Sequence, residues 1–112
     1  MTIFEKIVRR DIPADIVWED DDVLAFRDVN PQAPVHVLIV PKRVVSRLAE
    51  ATPADEALLG KLLLASRAVA EKLDLVTSGY RVVINNGPDA GESVPHLHLH
   101  LLGKRPLAWP PG

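Results

Sequence analysis

Apolar and polar residues follow two different periods along the chain, and these periods predict its helices and strands. Near the N-terminus, Thr2 and Glu5 have the spacing of a helix capping box, and apolar residues recur at helical spacing over residues 3–8. A longer stretch of helical period runs over residues 52–73 and opens on a threonine-proline pair, which is typical of a helix start. The pattern therefore predicts one short helix and one long helix.

Five short runs rich in aliphatic and β-branched residues predict strands. They lie at residues 16–18, 23–26, 35–40, 80–85 and 96–102. The predicted order is helix, three strands, helix, two strands, with connections short enough for antiparallel pairing. We therefore predict an α+β fold.

Composition limits the classes of function. The chain has 112 residues, of which 47% are hydrophobic and 25% charged, and this balance predicts a single globular domain over residues 1–112. The formal net charge of −2 gives no basic field that would attract nucleic acid or an anionic membrane. The N-terminus has no signal-peptide pattern, so we expect a cytoplasmic protein. Without cysteine there is no thiolate chemistry, and the four histidines become the candidates for catalysis.

Three of the histidines alternate with leucine in the run "HLHLHLL", residues 96–102. In a strand, His96, His98 and His100 would lie on one side, and the leucines would face the core. The outer two would have Cα atoms about 13 Å apart, too far for one zinc ion to bind all three readily. Two neighbours together with His36 could bind zinc.

Phosphorus chemistry fits the histidine run best. Three imidazoles on one face are costly to bury together and costly to charge together, so the face suits an anion-binding site. A neutral imidazole can attack a phosphoryl group and form a transient phosphoramidate. We predict His98 as this nucleophile, with the flanking histidines as hydrogen-bond donors. Upstream, Gly87 and Gly91 permit close backbone approach, and Asn85 and Ser93 offer polar groups.

The chain resembles the histidine-triad (HIT) superfamily, and within it the histidine triad nucleotide-binding (HINT) branch. The likeness covers essentially the whole chain and rests on "LAFRDVNPQAPVHVLIVPK", "LLGKLL", "GYRVVIN", "GESVPHLHLHLLG" and "WPPG". It implies a small antiparallel meander sheet with one long and one short helix, joined edge to edge across a homodimer. The implied activity is hydrolysis of purine nucleoside phosphoramidates and aminoacyl-adenylates, with no cofactor and no metal.

The resemblance also implies roles for particular residues. His98 would take the nucleotidyl group, His96 and His100 would contact the phosphate, Ser93 would serve the leaving group, and Asn85 would lie beside the phosphate. The resemblance implies further residues around the nucleotide. These are His36 in the proton network, Asp28 at the ribose, Val94 in the loop, and Ile3, Phe4, Ile7, Phe26 and Val29 as apolar walls around the purine.

At the C-terminus, Trp109 lies in the tail of residues 103–112, which the resemblance brings near the partner's active site. The chain departs from the expected pattern at Pro95, Ala90, Glu92 and Lys104. A proline at position 95 cannot donate a ladder hydrogen bond, so we expect an unpaired sheet edge there. The other three departures bear on leaving-group preference.

Two alternatives stay open on sequence. One is another HIT branch, which cleaves dinucleoside polyphosphates or transfers nucleotides. That branch typically carries glutamine or another polar residue where this chain has Ser93. The other is a non-catalytic regulatory protein that binds nucleotide, or zinc through His36 and two of the strand histidines.

Overall fold

The N-terminal helix, α1, spans Ile3–Val8 in the computed structural model, which describes residues 1–112. The predicted capping box is confirmed. The Thr2 hydroxyl accepts from the Glu5 N–H and the Glu5 carboxylate accepts from the Thr2 N–H, each at 3.1 Å. These two bonds satisfy N–H groups that the first turn of a helix otherwise leaves unpaired.

The long helix, α2, spans Glu56–Lys72, slightly shorter than the predicted range. A 3-10 turn, Pro53–Asp55, leads into it, and the Asp55 carboxylate accepts from the Thr52 N–H at 2.9 Å. The predicted cap, Thr52, therefore caps the 3-10 turn that precedes the α-helix. Neither helix has the length and apolar character needed to span a membrane.

Five strands form one antiparallel sheet in the order β1-β2-β3-β5-β4. Their bounds are Ile16–Glu19 for β1, Val23–Arg27 for β2, Val35–Pro41 for β3, Tyr80–Val83 for β4 and Leu99–Gly103 for β5. The first three strands follow chain order, whereas β5 lies between β3 and β4. This arrangement confirms the α+β prediction and leaves β4 at one edge.

The sheet packs on both faces, because alternate residues of the same strand point to opposite sides. In β2, Val23 and Ala25 belong to the core beneath α2, whereas Leu24 and Phe26 belong to a second cluster beneath α1. This second cluster comprises Phe4, Ile7, Leu24, Phe26, Leu38 and Val40. Burial of each large apolar side chain contributes about 1.5–3 kcal/mol.

The last strand begins later than predicted. It was expected to cover residues 96–102, but the sheet ladder begins at Leu99. Pro95 has no N–H, the His96 N–H bonds to Val94, and the Leu97 N–H donates to the Val45 carbonyl at 2.6 Å. The backbone N–H groups of His96 and Leu97 therefore bond outside the sheet ladder. Similarly, β4 ends at Val83, two residues short of the prediction.

A substitution at Gly103 tests the packing of β5 against the segment after α2. A Cβ at this position would lie 2.7 Å from Leu75 Cδ2, so the fully buried Leu75 side chain would have to shift. We expect Gly103→Ala to lower the free energy of unfolding by about 1–3 kcal/mol. Gly60→Ala is the matched control, since nothing lies within 4 Å of a Cβ there and α2 should gain about 0.5–1 kcal/mol. Urea unfolding of both variants measures the difference, and equal stability would contradict the packing described.

Candidate active site

His98 is held in one tautomer by the backbone. Its Nδ1 lies 2.7 Å from the His96 carbonyl oxygen, which can only accept, so Nδ1 carries the proton. The Nε2 of the neutral ring then keeps its lone pair and makes no hydrogen bond within the chain. The ring lines a cleft, and the Phe4 ring packs edge-on against it with centroids 5.0 Å apart. These contacts present Nε2 as a nucleophile.

His36 and His100 form a chain of hydrogen bonds beside it. The Gln32 N–H donates to His36 Nδ1 at 3.0 Å, so the His36 proton lies on Nε2. His36 Nε2 is 2.9 Å from His100 Nδ1, and it therefore donates to that atom. His100 in turn carries its own proton on Nε2. The Gln32 N–H thus sets the tautomers of both rings, and the Nε2–H of His100 is left to donate to a ligand.

The structure corrects the prediction for His96. Its side chain is fully buried, it does not line the cleft, and its Nε2 donates to the Pro41 carbonyl at 2.8 Å. Its Nδ1 has no hydrogen-bond partner. A contact between this ring and a phosphate would require the ring to leave the core. His96 therefore acts on His98 through its carbonyl group.

Burial keeps the surrounding imidazoles neutral. Desolvation is the main cause that lowers the pKa of His36, His96 and His100, and for His100 the charges of His98 and His36 add to it and bring the pKa to about 4. Joint burial of three such rings is costly in itself. Hydrogen bonds to the backbone and between rings offset much of that cost, because each neutral ring has a donor or acceptor partner.

The cleft has a volume of about 260 Å³ and lies between α1 and the sheet. It brings together most of the predicted nucleotide-binding set: Ile3, Phe4, Ile7, Phe26, Asp28, Val29, Ser93, Val94, His98 and His100. Phe4, Ile7 and Phe26 are buried. Ile3 is 52% exposed and Val29 is 99% exposed, so these two lie at the rim.

A second, more open cavity of about 900 Å³ lies beyond His100. Asn85 and His36 line it, and neither lines the cleft. His100 borders both spaces, so it separates the predicted nucleophile from Asn85. The structure therefore divides the predicted site residues into two groups that meet at His100.

Asp28 lies at the junction of β2 and the following loop. Its Oδ1 accepts from the Asn30 N–H at 2.9 Å, and its Oδ2 is 3.4 Å from His36 Nε2. The carboxylate lines the cleft, so it can accept hydrogen bonds from a ligand there.

Asp28, His36 and His100 also bring three metal-ligating atoms within 4.8 Å of one another. A metal ion in this position would need a lone pair from His36 Nε2. That atom carries the proton, because Nδ1 accepts from the Gln32 N–H. The contacts therefore suit a hydrogen-bond relay better than a zinc site, which speaks against the zinc-binding alternative.

The glycine loop ends beside the nucleophile. Ser93 is exposed at the cleft, and its hydroxyl makes no hydrogen bond within the chain. Trp109 in the C-terminal tail is 82% exposed, with the Arg81 guanidinium carbon 6.0 Å from its ring centroid. Arg81 also donates to the Leu107 and Ala108 carbonyls and holds the tail against β4.

Several groups that form the site could not be predicted from the sequence. Leu38 lines the cleft, but β3 is buried on both faces, so its apolar run carried no alternation to separate the two sides. The Gln32 N–H and the Pro41 carbonyl are backbone groups, which residue type cannot reveal. Arg47 pairs with Glu92 across 45 positions, and no local pattern signals that contact.

The fold and the site define an α+β protein with a cluster of histidines beside an apolar cleft. Residues 9–107 match the HIT domain family. An uncharacterized HIT-like protein of Synechococcus elongatus is 63% identical over 111 residues, which cover 99% of this chain and 96% of that protein. The chain therefore belongs to the HIT family.

Solved structures agree with this assignment. A HIT family hydrolase from Legionella pneumophila has a TM-score of 0.97 and 43% identity, with complete coverage of both chains. A histidine triad nucleotide-binding protein from Candida albicans has a TM-score of 0.86 and 29% identity, covering 98% of this chain and 83% of that one.

Acid should destabilise the fold through the buried histidines. Each lowered pKa means that the unfolded chain binds more protons than the folded protein below the ordinary value of 6.5. The contribution of these histidines to stability is therefore complete above pH 6.5 and is lost as the pH falls below that value. For His100 the loss continues down to its folded-state pKa of about 4.

We expect the free energy of unfolding to decrease from pH 7 to pH 5, and to decrease less steeply in His100→Gln. Urea unfolding across this range measures both. Carboxylates with lowered pKa, such as Asp55 and Glu92, lose their contribution only below their ordinary values of 3.8 and 4.5. A flat profile between pH 5 and pH 7 would contradict the assigned neutral network.

Proposed function

We propose that this protein hydrolyses purine nucleoside phosphoramidates and aminoacyl-adenylates and releases the nucleoside monophosphate. The observation that carries the proposal is the His98 ring, which lines the cleft, whose Nδ1 is fixed on the His96 carbonyl and whose Nε2 is left without a hydrogen bond. The apolar cleft suits a purine ring, and its aspartate suits a ribose. The relatives support the class, since one is described as a HIT family hydrolase and another as nucleotide-binding.

The reaction proceeds in two displacements. His98 Nε2 attacks phosphorus, an Nε2–P bond forms, and the P–N bond to the leaving amine breaks. The Ser93 hydroxyl donates a proton to the departing nitrogen and takes one from solvent water, so no alkoxide remains. A second water then attacks phosphorus, the Nε2–P bond breaks, and the proton that this water loses returns to solvent. The His96 carbonyl stabilises the positive charge that the ring carries in the intermediate, and the Nε2–H of His100 donates to the phosphate.

Replacement of His98 tests the nucleophile. We expect His98→Asn to lower turnover of AMP-linked amines by at least about a thousandfold, because the covalent step is lost, while AMP binding changes little. Wild-type protein quenched in alkaline denaturant, which preserves the acid-labile histidine N–P bond, should contain a nucleotidyl adduct on His98, and the variant should contain none. Near-normal hydrolysis by the variant would refute the assignment.

Turnover of different nucleotide substrates distinguishes the proposed activity from those of other HIT branches. AMP-linked amines should turn over faster than diadenosine polyphosphates or a nucleotide-transfer pair, because Ser93 can protonate a basic nitrogen. The reverse order would favour the dinucleoside polyphosphate or transferase alternative.

We also propose that the protein acts as a homodimer, paired through the exposed edge of β4. Apolar side chains stay exposed on α2 and beside this edge: Leu63, Leu64, Val76, Tyr80 and Ile84. An unpaired strand and an apolar patch are features that a two-fold interface covers. We expect twice the monomer mass in light scattering and a shift to monomer for Leu64→Glu. Leu48→Glu, at an exposed site on another segment, is the control, and a monomeric wild type would contradict this proposal.

A further inference from the structure

One ion pair holds the loop that carries Ser93. The Arg47 guanidinium donates through Nε to both oxygens of Glu92 at 3.0 and 3.2 Å, and through Nη2 to Oε2 at 3.0 Å. The Glu92 side chain is only 12% exposed. Two donors on one planar group fix the carboxylate in orientation as well as in distance.

Glu92 also closes the loop on itself. Its Oε1 accepts from the Gly87 N–H at 3.1 Å, and its own N–H donates to the Gly87 carbonyl at 3.2 Å. Gly87 and Gly91 have φ values of 85° and 79°, a region that disfavours side chains. A further bond, from the Ala49 N–H to the Asn86 side-chain oxygen at 2.8 Å, ties the start of the loop to the same neighbouring segment.

Ser93 has no comparable support of its own. Its hydroxyl is unpaired and exposed, and it directly follows Glu92. The position of this hydroxyl at the cleft therefore depends on the backbone that Glu92 holds. Arg47 and then the Gly87 amide lower the pKa of Glu92, so the carboxylate stays ionised at neutral pH.

We propose that Glu92, clamped by Arg47, is a positioning residue that places the Ser93 hydroxyl on the leaving group and so sets the preference for basic amines. The inference rests on the proposed phosphoramidase function. It also gives a physical meaning to Glu92, one of the positions where the chain departs from the pattern expected of its family.

The test compares Glu92→Ala, Ser93→Ala and the double variant on AMP-linked amines of graded basicity. We expect Glu92→Ala to lower kcat about tenfold or more for a strongly basic alkylamine, with little loss for a weakly basic arylamine and a KM within about twofold of wild type. In the Ser93→Ala background, Glu92→Ala should have almost no further effect, because its action passes through that hydroxyl. Glu92→Gln should restore part of the rate, since its oxygen can still accept from Gly87.

Arg10→Gln is the matched control, because it breaks the Arg10–Glu19 ion pair at a distance from the loop and should leave kcat unchanged. Thermal unfolding shows that each variant is folded during the assay. Additive losses in the double variant, or equal losses on all amines, would overturn this inference while the hydrolase proposal stands. Absence of turnover on every AMP-linked amine by wild-type protein would overturn both.

Discussion

The hydrogen bond from His98 Nδ1 to the His96 carbonyl oxygen is the contact on which the candidate site depends. At 2.7 Å, to a group that cannot donate, it places the ring proton on one nitrogen and leaves the lone pair on the other. The two residues that it joins precede β5, whose sheet ladder begins at Leu99.

Burial is the second physical condition of the site. Imidazoles exposed to water would titrate near neutral pH, and a protonated ring could neither attack phosphorus nor accept a hydrogen bond. Burial lowers the pKa of His36, His96 and His100, and backbone groups of Gln32 and Pro41 fix their tautomers. Burial thus keeps the hydrogen-bond network in one protonation state.

The sequence predicted the parts of the molecule that local chemistry determines. The capping box at Thr2, the alternation that buries Leu99 and the order of the elements are properties of adjacent residues, and the structure has them. The buried position of His96 could not be predicted, because it follows from contacts with Pro41 and from loss of strand pairing. Backbone donors and distant ion pairs, such as the one that holds Glu92, leave no periodic pattern in a sequence.

The position of the proton on the His98 ring decides whether its Nε2 can attack phosphorus. Two-dimensional nitrogen-proton correlation spectra of the imidazole rings at neutral pH, with His98→Asn to assign the signals, report which nitrogen carries the proton. We expect the His98 ring to carry its proton on Nδ1, and the rings of His36, His96 and His100 to carry theirs on Nε2. A His98 ring protonated on Nε2 would contradict this expectation, because that nitrogen would have no lone pair for attack on phosphorus.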